Sequence, residues 1–156
     1  FYLFQGVMAW VLSLPFLVVA YQQAVVAAPL LVLGVVIWAI SVLGEALADY
    51  QLMAFKADPA NRGKVCRQGL WYYSRHPNYF FESLHWVAYI PLALGSSLWW
   101  LTLISPLLMA WLLLKVSGVP GVETPEGKRK REGYDEYVRT TSSFIPWPPK
   151  ANKHKV

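Results

Sequence analysis

The placement of positive charge constrains this chain more than any other feature. All fourteen lysines and arginines lie in two windows, Lys56–Arg75 and Lys115–Lys155, and none occurs in residues 1–55 or 76–114. The cation-free stretches are apolar and hold runs of about 20 residues, the length a helix needs to cross a bilayer. Loops rich in Lys and Arg stay on the cytoplasmic side, whereas short uncharged turns can face outward. The pattern therefore predicts an all-α, polytopic transmembrane helix bundle. About four spanning helices are expected, near 1–21, 29–56, 77–94 and 98–116, with uncharged outer turns at 22–28 and 95–97. The chain is 56% apolar and 15% charged, where a soluble domain carries about 25% charge. Its net charge of +5 then reads as orientation and attraction to anionic lipid or phosphate. With half the chain in lipid, nucleic acid is not an expected partner. The lipid bilayer and a hydrophobic small molecule are. The expected location is a bacterial inner membrane, with both basic segments and the C-terminus in the cytoplasm.

Proline and glycine punctuate the helices. Pro15, Pro91 and Pro106 fall inside apolar segments and should bend or break them. Asp58–Gly63, reading DPANRG, is turn chemistry. Gly118–Gly127 reads as a Gly/Pro-rich linker holding Glu123 and Glu126. Lys128–Thr141 is strongly charged and is predicted to be a cytoplasmic amphipathic helix, with Tyr134 and Tyr137 three apart on one face. The aromatic and proline-rich Phe144–Pro149 is placed on the membrane surface or over a site. Residues 1–149 are expected to form one transmembrane domain and 150–156 a disordered tail. The chain does not begin with Met and has no basic segment before its first apolar run, so no signal peptide is read. A fragment without its N-terminal helices is expected.

Chemistry concentrates in Gly69–Glu82, GLWYYSRHPNYFFE. Pro77 suits the first position of a helix, where a missing N–H costs little. Asn78 and Glu82 are four apart and share one face, with His85 a turn later. Arg75 and His76 precede that helix, where free N–H groups favour an anion. On the preceding segment Glu45, Asp49, Met53 and Lys56 recur at helical spacing. Carboxylates at such depth are expensive and mark functional candidates. Lys56, Arg62, Lys64, Arg67 and Arg75 suit phosphate, Asn78, Glu82 and Asp49 suit ribose hydroxyls or an amide, and Trp71, Tyr72, Tyr73 and Tyr79 suit a flat ring. Cys66 is the sole cysteine, which excludes an intrachain disulfide and a cysteine-based metal site. His76 and His85 are nine apart and align poorly on one helix, so no metal is expected. The nucleotide-binding, zinc-protease and hydrolase motifs of soluble enzymes are absent.

These residues carry a resemblance. GLWYYSRHPNYFFE, preceded by GEALADYQLMAFKADPANRGKVCRQ and followed by YDEYVRTTSSFIPWPP, resembles a bacterial membrane family grouped with the steroid 5α-reductases, most clearly over Gly44–Pro149. The resemblance implies an NADPH-dependent reductase of an enone C=C in a steroid-like or other lipid. It implies cofactor contacts at Asp49, at Lys56 (usually Arg in those enzymes), and at Asn78 and Glu82, which match the Asn and Glu of an N-x-x-G-E motif. Phe81 stands in place of the motif glycine, and Glu45 in place of an Asn. Tyr134, Tyr137 and Arg139 are the nearest C-terminal counterparts. With Arg75, His76 and Tyr79 they complete the expected cofactor site. The carbonyl-polarising residues of the reductases come from N-terminal helices not represented here, so His85 and Tyr79 are the remaining proton-donor candidates. The R-H-P-x-Y turn is shared with isoprenylcysteine and phospholipid methyltransferases. An S-adenosylmethionine-dependent methyltransferase is therefore the alternative, and a non-enzymatic membrane scaffold a third reading.

Overall fold

The computed structural model describes residues 2–124 and 131–151. Their regular structure is helical, with two isolated backbone bridges and no strand among the described residues. In chain order the helices are α1 (Tyr2–Leu12), α2 (Leu14–Tyr21), α3 (Ala28–Ala57), α4 (Leu70–Tyr73), α5 (Pro77–Val87), α6 (Tyr89–Ala93), α7 (Ile104–Trp111), α8 (Val119–Val122) and α9 (Tyr134–Thr140). Among the described residues three stretches are long and apolar enough to cross a membrane: Tyr2–Tyr21, Ala28–Ala57 and Trp99–Val122. At 1.5 Å per residue α3 is roughly 45 Å long, more than a hydrocarbon core of about 30 Å. The stretch expected as a further span, 77–94, is divided between α5 and α6 and carries Asn78, Glu82 and His85.

Contacts group the chain into two units. The first comprises Phe1–Leu43 and Phe81–Leu112, and the second Gly44–Phe80 and Leu113–Val156. Helices α3 and α5 contribute to both.

In the first unit the prolines act where the sequence places them. The helix breaks at Ser13, just before Pro15. The Ser13 hydroxyl donates to the Trp10 carbonyl at 2.7 Å, and Ser105 donates to the Leu12 carbonyl at 3.2 Å. In lipid no water replaces bonds lost at such a break, so side chains must. Pro91 frees the carbonyl four residues earlier, that of Val87, and α5 ends there. A Cβ on Gly34 would lie 2.9 Å from the Ala88 carbonyl oxygen and 2.7 Å from Leu92. Glycine thus lets α3 sit directly on the α5–α6 break. Phe16 packs edge-on to Tyr89, with ring centroids 4.9 Å apart. Ahead of Pro106 the chain forms a 3-10 turn, Trp99–Leu103, before α7. Buried Ser41 and Thr102 satisfy their hydroxyls on the Trp38 and Trp99 carbonyls of the preceding turn. Small hydroxyl residues at helix contacts are typical of membrane bundles. The large apolar side chains instead lie outward: Trp10 and Leu43 are 64% and 69% exposed. Lipid is the solvent that suits such a surface.

The second unit is held by side chain-to-backbone bonds. Asp58 caps the turn after α3 by accepting from the Ala60 N–H at 2.9 Å. Gln51 accepts from the Leu70 N–H, and the Trp71 indole donates to the Ala48 carbonyl at 2.8 Å. These bonds fix the 58–69 loop and α4 against the end of α3. The Tyr137 hydroxyl lies within hydrogen-bond reach of the Trp71 and Ser74 carbonyls. The C-terminal segment is tied to the same place. Arg75 N–H donates to Ser142, the Ser74 hydroxyl to Phe144, and Trp147 N–H to Tyr73. Farther along, Lys150 N–H donates to Thr140. The helix expected over Lys128–Thr141 differs in its start. Its described part begins at Tyr134, because Gly133 takes φ 72°, a left-handed conformation no helix continues through. Lys128–Lys130 and residues 152–156 of the expected tail lie outside the described residues.

Candidate functional site

Pro77 opens α5 as predicted, and this places Arg75 and His76 at its entrance. Ahead of them Ser74 is extended and bridged to Ser142, which turns the chain out of α4 and into α5. The Arg75 and His76 side chains converge on one carboxylate. Glu123 Oε1 lies 3.0 Å from Arg75 Nη1 and 2.9 Å from His76 Nε2, and Glu123 Oε2 accepts from Arg75 Nη1 at 3.1 Å. Tyr134 lies beside the same carboxylate in the wall of one cavity. Arg75 and Glu123 are each 11% exposed and His76 8%, so the four groups form a nearly dry node. It joins the α5 entrance, the segment after α8, and α9.

Electrostatics fix the protonation of this node. Burial lowers the basicity of His76, outweighing the carboxylate that favours its protonated form. The imidazole is therefore neutral at pH 7, with its hydrogen on Nε2 facing Glu123. Burial, reinforced by Glu123, raises Tyr134, and burial raises Tyr137 strongly. Cys66 is also raised by burial, partly offset by a backbone hydrogen bond at Gln68 and by Lys56. Both phenols and the thiol are thus protonated at neutral pH. Such groups donate hydrogen bonds but are poor nucleophiles.

The node lines a cavity of about 150 Å³, whose walls also include Trp71, Asn78, Tyr79, Tyr137 and Lys56. Asn78 Nδ2 donates to Asp49 at 3.1 Å, and the His76 and Tyr79 rings stack, 5.2 Å apart and 7° from parallel. Two buried polar atoms here have no hydrogen-bond partner among the described residues, Arg75 Nε and Asn78 Oδ1. Beside this cavity runs a groove of about 650 Å³, which shares Leu52, Lys56, Cys66 and Arg131 with it. Lys56, Arg62, Lys64 and Arg131 line the groove against a single acid, Asp58, which is engaged as a cap. A small polar chamber thus opens beside a cationic trough.

Of the residues expected from sequence, Lys56, Arg75, His76, Asn78, Tyr79, Tyr134 and Tyr137 line the chamber. Asp49 reaches it through Asn78. Glu45 lies one turn before Asp49 on α3, outside the chamber wall, and Arg139 borders a separate groove. Glu82 and His85 continue the α5 face but belong to the first unit, as does Phe81. There His85 Nε2 is 3.2 Å from the Tyr89 hydroxyl. Sequence reasoning placed Glu123 in a linker and missed its role. The available signal was an acid, Glu123, directly after the uncharged stretch Val116–Val122 that ends a candidate span.

Residues 1–141 match the family model described as "Protein of unknown function (DUF1295)", and the chain belongs to that family. Neither a curated protein nor a solved structure gives a match.

Proposed function

We propose that this DUF1295 member is the cofactor-holding part of a membrane-embedded, NADPH-dependent reductase acting on an enone C=C of a steroid-like or other lipid. The observation that carries the reading is the cationic trough joined to the small polar chamber. Four cations with no free acid among them suit the phosphates of a dinucleotide. The chamber suits its other end. The unpartnered Arg75 Nε is a donor and the unpartnered Asn78 Oδ1 an acceptor, the complement of a carboxamide group. A buried polar atom without a partner costs about 1–3 kcal/mol, so a ligand that satisfies both is strongly favoured.

On this reading Lys56, Arg62, Lys64 and Arg131 hold phosphates, and Asn78 and Arg75 orient the ring end. Glu123 keeps Arg75 and His76 in place. When bound, NADPH supplies a hydride, and the protein supplies orientation and charge. Reduction also requires a proton on the second carbon of the double bond. The candidate donors are Tyr79, which is part of the chamber wall, and His85. The positive-inside bias supports a cytoplasmic side for both basic segments, and alternation of the spans then makes the 77–94 stretch a fourth crossing.

The test is nucleotide binding by the purified protein in detergent. Lys56→Gln with Arg131→Gln should weaken NADPH binding at least tenfold, and Asn78→Ala should weaken it several-fold. Unchanged NADPH affinity in both variants would contradict the reading. Binding of S-adenosylmethionine alone, which needs no cationic trough, would replace it with the methyltransferase.

A further inference from the structure

A third groove in the second unit, of about 370 Å³, shares only Arg75 with the chamber and none of its wall with the trough. Its wall includes Arg75, Arg139, Lys150, Ser142, Ser143 and Trp147 and no acid. Arg75 is already held by Glu123. Arg139 and Lys150 are not: both are exposed, and neither has an acidic partner among the described residues. The hydroxyls of Ser142 and Ser143 make no hydrogen bond to another described residue, although the backbone around them is pinned by the Arg75–Ser142 and Lys150–Thr140 bonds. Two free cations and two free hydroxyls on a fixed backbone are the donor set of a phosphate site.

The flank of this groove is apolar and outward. Trp147 is 69% exposed and Ile145 59%, although Trp147 N–H is bonded to the Tyr73 carbonyl and Tyr73 is itself 43% exposed. Large side chains held outward on a tethered segment differ from a frayed tail. Trp and Tyr at such positions favour the membrane–water interface, where one side is apolar and the other wet. The same unit also contains the C-terminal parts of two candidate spans, Ala28–Ala57 and Trp99–Val122, so the groove belongs to a unit from which membrane-crossing helices emerge. We propose that the Arg139–Lys150 groove binds the phosphate headgroup of an anionic phospholipid, with Trp147 and Ile145 set among its acyl chains.

The experiment is thermal unfolding of the purified protein in detergent, titrated with phosphatidylglycerol, phosphatidylcholine or inorganic phosphate. Phosphatidylglycerol should stabilise the protein at lower concentration than phosphatidylcholine. Arg139→Gln and Lys150→Gln should each weaken its apparent affinity about fivefold, the typical contribution of one cation near an anionic lipid surface. Together they should weaken it more than tenfold. Trp147→Ala should weaken the lipid effect as well. If the double variant does not fold, the single variants decide, since both positions are exposed. Undiminished phosphatidylglycerol binding in the cation variants, or an equal response to phosphatidylcholine, would overturn the proposal. Inorganic phosphate stabilising the protein at the same concentration as the lipid, with the same dependence on Arg139 and Lys150, would also overturn it in favour of a soluble phosphate ligand.

Discussion

Glu123 meets an arginine and a neutral histidine, beside the Tyr134 phenol, while 11% exposed. Removing one partner of a largely buried pair leaves the other charge uncompensated, which costs about 3–5 kcal/mol. Glu123→Gln keeps an acceptor but not the charge, so we expect destabilisation near the lower end, about 3 kcal/mol. Unfolding in detergent reads this directly, and a change within about 0.5 kcal/mol, typical of a surface position, would show that the node is not structural. His76 adds a pH dependence of definite sign. Its folded-state basicity is below the ordinary value of 6.5 because burial disfavours the cation. Between its folded and ordinary values the unfolded chain therefore binds more protons, and stability rises with pH. The contribution is complete above 6.5 and is lost as pH falls below it. His76→Gln should flatten the decline in unfolding midpoint between pH 7 and pH 5. An equal decline in that variant would place the pH dependence elsewhere.

Among the elements, the turn into α4 depends on a glycine. Gly69 takes φ 55° and ψ −125°, and an added Cβ would fall 2.4 Å from the Gln51 amide that accepts from Leu70. That backbone region is nearly closed to other residues and costs on the order of 1–3 kcal/mol. Gly69→Ala should therefore destabilise the protein by about that amount. Gly6→Ala in α1, where a Cβ meets nothing within 4 Å, should be neutral or mildly stabilising. Equal unfolding midpoints for the two variants would refute the distinction. Breaks at Pro15 and Pro91 were legible in sequence because proline acts on its own helix within one turn. The hydroxyls that repair the first break were not. Ser105 reaches Leu12 across most of the chain, and no local pattern records such a pairing. The late start of α9 has a local cause, Gly133, which the charged periodicity of 128–141 obscured.

At the scale of the whole molecule, the charge windows made the helical membrane class legible, and hydropathy alone located the three long apolar stretches. The 77–94 stretch was harder to read. Its Asn78, Glu82 and His85 and its break before Pro91 dilute the apolar signal that defines a span. The site was legible where its residues are neighbours in sequence, as in Arg75–Tyr79. It was hidden where a contact joins distant segments, as with Glu123 and with the part Arg131 plays in both cavities. We propose that the trough and chamber together hold a phosphate-bearing dinucleotide. The most direct measurement is the thermal stabilisation of the purified protein by NADPH, NADH and S-adenosylmethionine at matched concentrations. NADPH should stabilise the protein more than either of the others. Stabilisation by S-adenosylmethionine with none by NADPH would contradict the proposal.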